Sequence, residues 1–141
     1  MRYAFLLTML LLTSALHAGQ KLSVEELQRK IESAHGAKKA ELLLQLSHGQ
    51  VEQVDNLYHD GNADKAFDLL KEVGSNADQA TSISLESGKR LKDTEIELRK
   101  LSERLQAIRQ EASFEDRKPF DVSIQNLEQN RSKLLDRMFN K

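Results

Sequence analysis

Residues 66–112 read AFDLLKEVGSNADQATSISLESGKRLKDTEIELRKLSERLQAIRQEA, and this stretch decides the fold. Taken from Ala66 in alternating steps of four and three, it gives Ala66, Leu70, Val73, Ala77, Ala80, Ser84, Ser87, Leu91, Thr94, Leu98, Leu101, Leu105, Ile108 and Ala112, with no charge in the register. A repeat of this period keeps one seam of a helix turned toward a partner helix. The first part of the seam is small, so a neighbouring backbone can come close, and the second part is rich in leucine. Gly74 and Gly88 oppose the helix, each by about 1 kcal/mol relative to alanine in a helix interior. Because the register passes through Gly88 into Leu91, the expectation is one long helix over 63–112, continuous or gently kinked at Ser87-Gly88. Glu95, Arg99 and Glu103 form an i, i+4 ladder on its outer side.

The flanking segments supply its partners. Ser23-Val24-Glu25-Glu26 has the spacing of a capping box, with Leu22 and Leu27 placed for a hydrophobic staple, and predicts a helix over 23–35 with Gly36 just beyond it. Ala37, Ala40, Leu44, Ser47, Val51, Val54 and Tyr58, broadened by Leu43, Leu46 and Leu57, predict a second helix over 37–60 with more than one neighbour. Gly61 in the left-handed conformation and Asn62 as a cap would return the chain as a hairpin. Pro119 fits only a first turn, so a last helix is expected over 120–140, carrying Phe120, Ile124, Leu127, Arg131, Leu134 and Met138. Arg131 on that seam needs a carboxylate or solvent.

These elements define an all-α fold of antiparallel helical hairpins around one long helix, straight or kinked. A straight helix over 63–112 would measure about 75 Å and leave part of its seam exposed, which favours self-association. Folding back at Gly88 gives the alternative, a compact four-helix bundle.

The first 18 residues have another purpose. Arg2 precedes the apolar run Tyr3–Leu12, and Thr13-Ser14-Ala15-Leu16-His17-Ala18 is a small-residue end, the layout of a signal peptide cleaved after Ala18. The run is shorter than the roughly 20 apolar residues of a spanning helix, so membrane attachment is expected only if this segment is retained. The expectation is an exported, periplasmic or extracellular chain with one helical domain over 19–141. Absence of cysteine then excludes a disulfide framework. Cleavage removes Arg2 alone among the charged residues and takes the net charge from −1 to −2. That balance lacks the basic excess of a nucleic-acid partner.

One constellation carries a metal-binding pattern. His48, Glu52, Asp55 and His59, spaced 4-3-4, share a stripe of the second helix beside its apolar seam, and residues at such spacing can ligate one metal ion. The same stripe would equally serve as a solvated, ion-paired flank. Lys89, Arg90 and Lys92 read as ordinary surface, and Glu115 to Lys118 as a charged turn. No catalytic triad, glycine-rich phosphate loop or nucleotide fingerprint is present, so neither an enzyme nor a cofactor is expected.

Lys89, Glu95-Ile96, Leu98-Arg99-Lys100 and Arg104-Leu105, followed by Phe114-Glu115-Asp116-Arg117, resemble a set of uncharacterised secreted bacterial helical proteins. In general plan the chain is also similar to small periplasmic helical chaperones, although it lacks the Leu-Thr-x-x-Gln repeats of one such group. The resemblance implies helical architecture and export, and brings no activity with it. The expected function is non-enzymatic, through self-association or contact with another envelope protein. The alternative is a metal-binding four-helix bundle using His48, Glu52, Asp55 and His59.

Overall fold

Ser23 opens the first helix by accepting the Glu26 N–H on its hydroxyl at 3.2 Å, the first half of the expected capping box. The computed structural model describes residues 22–140, and the signal-like segment 1–18 lies outside them. Its helices are α1 (Val24–Ser33), α2 (Gly36–His59), α3 (Ala63–Ser87), α4 (Leu91–Glu111) and α5 (Arg117–Phe139), with a 3₁₀ turn at Phe114–Asp116. Gly61 ends the α2–α3 hairpin with φ +83°, while Asn62 stands at the N-cap without a side-chain capping bond. Pro119 falls in the first turn of α5, where its missing N–H has no helical acceptor to lose. Among the described residues, no helix is long and apolar enough to cross a membrane.

The continuous helix over 63–112 is not formed. The Gly88 N–H closes α3 on the Ser84 carbonyl at 2.9 Å, and Gly88 then takes the left-handed conformation at φ +67°. Arg90 follows at φ +58°, and α4 starts at Leu91 in a new direction. The seam register survives because both helices enter one shared core from the same end. Their seam positions Ser84 and Thr94 meet there in a buried hydrogen bond of 2.8 Å. Folding back buries the small half of the seam and its leucine half within one chain, which an isolated straight helix cannot do. The compact alternative is therefore the observed one.

The helices form a ring in the order α2, α3, α5, α4. The α2–α3 and α4–α5 pairs are antiparallel hairpins, as expected. The α2–α4 and α3–α5 pairs run parallel, since their contacts advance together: His48 to Glu97 and Asp55 to Arg104 in one, Gly74 to Asn126 and Gly88 to Arg137 in the other. The chain thus crosses the bundle diagonally between α3 and α4. Inside lie Ala66, Leu70, Ala77, Ala80, Leu98, Leu101, Leu105, Phe120, Leu127 and Leu134, none more than 2% exposed. Each of the larger ones contributes roughly 1.5–3 kcal/mol by leaving water.

Polar side chains at core positions find partners across helices. Arg131 meets Glu95 at 2.6 Å and Glu128 at 2.8 Å, and Asn130 donates to Asp78 at 2.7 Å. Tyr58 donates to Asp116 at 2.8 Å, accepts the Ser113 N–H at 3.1 Å, and packs edge-on against Phe120. That contact ties the end of α2 to the turn before α5. On the outside of α2, Leu27 of α1 joins Leu42 and Leu46 in a second small core, with Leu22 packed beside it. Gly49 leaves room there: a Cβ on it would stand 3.4 Å from Val24 Cγ2.

Candidate functional site

The parallel contact between α2 and α4 collects most of the charged side chains that face one another. Glu41, His48 and Asp55 stand seven residues apart on α2, and Arg90, Glu97 and Arg104 repeat that spacing at the start of α4 and along it. Seven residues return a helix to nearly the same face, so in a parallel pair each residue meets the one 49 positions later. His48 Nε2 is 2.8 Å from Glu97, and Arg104 donates to Asp55 at 2.6 Å and to both oxygens of Glu52 at 2.9 and 3.1 Å. Arg90 approaches Glu41 more loosely, at 3.6 Å.

This geometry separates the four stripe residues expected to share a metal. His48 pairs with Glu97 at one place, and Glu52 holds Arg104. Asp55 and His59 stay together and gain Glu111, the last residue of α4. The three offer ligand atoms within 4.8 Å of one another. His59 Nδ1 lies 2.8 Å from the Asp55 backbone oxygen and 2.9 Å from Asp55 Oδ1, while its Nε2 lies 3.2 Å from Glu111 Oε2. The backbone bond from Asp55 and then the Asp55 carboxylate raise the His59 pKa above the ordinary histidine value, with Glu111 adding to this. Partial burial pushes the Glu97 carboxyl up, but hydrogen bonds from Lys100 and His48 outweigh it and hold the group below the usual range. The carboxylates of Glu52 and Asp55 keep Arg104 firmly protonated.

Between the N-terminal halves of the two helices a cleft of about 450 Å³ opens, lined by Glu41, Leu44, Gln45, Arg90, Asp93, Ile96 and Glu97. Leu44 and Ile96 give it apolar contacts, and three carboxylates outnumber one guanidinium. Arg90 is the unusual member. It is the one described non-glycine residue with positive φ, a conformation costing about 1–2 kcal/mol. Its Nε is buried without a hydrogen-bond partner, and its nearest carboxylates are 3.6 and 3.9 Å away.

The sequence pattern reads Arg90 as ordinary surface and gives no site role to Glu97, Arg104 and Glu111, yet all four complete these sites. The signal was present as two seven-residue charge ladders, opposite in sign at Glu41/Arg90 and Asp55/Arg104. Reading it requires α2 and α4 to be parallel, which follows only from the fold-back at Gly88.

No protein-family model matches the chain, and neither a curated protein nor a solved structure matches it.

Proposed function

We propose that this is an exported, non-enzymatic helical protein that acts by contact with another envelope protein, and that the cleft between α2 and α4 receives a basic segment of that partner. One observation carries the reading. Glu41, Asp93 and Glu97 surround a cleft with apolar contacts from Leu44 and Ile96, and their three carboxylates outnumber the one guanidinium of Arg90. A lysine or arginine side chain from a partner would gain the carboxylates, and its methylene stem would cover Leu44 and Ile96. The seam that favoured self-association is used within the chain, and this favours a second protein over a second copy.

A photo-crosslinking residue at Gln45, on the cleft, compared with one at Gln129, on the outer face of α5, tests the reading in cells that export the protein. Crosslinking to one partner from Gln45 alone, abolished by Asp93→Lys, is the expected result. Equal crosslinking from both positions, or from neither, overturns it. Sedimentation of the purified protein over a concentration series separates the reading from self-association, which requires a mass that grows with concentration.

A further inference from the structure

We propose that Asp55, His59 and Glu111 form a binding site for a divalent transition-metal ion, zinc above all, that joins the C-terminal ends of α2 and α4. Four observations support it. The three side chains present one ligand atom each within 4.8 Å of one another, and they come from two helices, not from one stripe. His59 Nδ1 lies 2.8 Å from the Asp55 backbone carbonyl, an acceptor, so Nδ1 carries a proton that fixes the ring and leaves Nε2 facing Glu111, 3.2 Å away. That arrangement is how a ligating histidine is held from its far nitrogen, and either a proton or a metal ion can stand between Nε2 and the Glu111 carboxylate. Arg104 occupies Asp55 Oδ2, while Oδ1 is buried, accepts no hydrogen bond and stands 2.9 Å from His59 Nδ1, whose proton goes to the backbone carbonyl.

The fourth observation is topological. His59 ends α2 and Glu111 ends α4, and the two helices run parallel, so their negative poles emerge side by side. In an antiparallel pair one pole would cancel the other. Here two carboxylates, one imidazole and two helix C-termini converge on one place. The Arg104 guanidinium opposes a further cation, but its charge is already matched by Glu52 as well as Asp55. A site of one nitrogen and two carboxylate oxygens suits zinc and its first-row neighbours, and leaves the remaining positions to water. His48 and Glu52, on the same stripe, take no part.

Titration of the purified protein with zinc chloride at pH 7.5, followed by calorimetry and by the histidine ring resonances, tests the proposal independently of any partner in the α2–α4 cleft. One equivalent of zinc should bind and move the His59 resonances while those of His48 stay in place. His59→Ala should abolish binding, and Glu111→Gln should weaken it by about tenfold or more. Both positions are exposed, with 52% and 68% of the side chains accessible, so neither variant disturbs the core. His48→Ala should leave binding unchanged. Absence of stoichiometric binding overturns the proposal. So does loss of binding in His48→Ala with none in Glu111→Gln, because the ligands would then lie along α2 alone.

Discussion

The hydroxyls of Ser84 and Thr94 lie 2.8 Å apart in a buried hydrogen bond across the turn that separates α3 from α4. Both are seam positions, and both would have faced a partner helix had the chain continued straight. Their pairing satisfies two polar groups at the place where the seam turns back. Thr94→Val leaves the Ser84 hydroxyl without that partner and should destabilise the protein by about 1–3 kcal/mol in urea unfolding. Adding Ser84→Ala should recover part of the loss, since no buried hydroxyl then stands alone.

Gly88 takes φ +67°, and a Cβ built on it would meet only Arg137 Nη2 at an ordinary 3.6 Å. Space is therefore not what requires glycine; backbone conformation is. Gly88→Ala should cost about 1 kcal/mol and Gly88→Asn less, because asparagine tolerates the left-handed region. Equal unfolding midpoints for all three proteins would contradict this reason for the break.

Arg131 is the guanidinium that the seam of α5 carries into the bundle, and Glu95 is buried against it. Arg131→Leu should destabilise by about 2–3 kcal/mol, because Glu95 is left without its principal partner. The double variant Arg131→Leu with Glu95→Leu should be more stable than the single one. A double-mutant cycle by urea unfolding measures the difference.

Removing α5 takes Phe120, Leu127 and Leu134 out of the core and uncovers Leu98, Leu101 and Leu105. A chain ending after Ala112 should lose its cooperative thermal transition and aggregate. Circular dichroism and size-exclusion chromatography read both effects, and a soluble, cooperatively folded truncation would refute the packing of α5.

His59 carries a testable pH dependence. Its folded pKa is raised, by the Asp55 backbone and carboxylate and then by Glu111, so the folded state binds the proton more tightly than the unfolded chain does. That contribution is fully present below the unfolded value of about 6.5 and is lost as pH rises through the higher folded value. Thermal melting of the metal-free protein should show this loss, and His59→Gln should flatten it. Zinc competes with the same proton, so its affinity should rise over the same interval.

Local chemistry alone determined much of this protein. The Ser23 cap, the Gly61 turn, the placement of Pro119 in a first turn and the need of Arg131 for a carboxylate all follow from interactions within a few residues or from a charge on an apolar seam. The first three act before any tertiary contact forms, and the fourth shows as a charge in an apolar register, so all are legible in order along the chain. What only the tertiary structure decided is the turn at Gly88, and with it the parallel pairing of α2 with α4. A seam of constant register is compatible with one straight helix and with two helices entering one core. The choice between them rests on apolar area buried between residues far apart in the chain. From that choice come the neighbours of the His48–His59 stripe on α2: Glu111 joins Asp55 and His59, while His48 and Glu52 turn to Glu97 and Arg104.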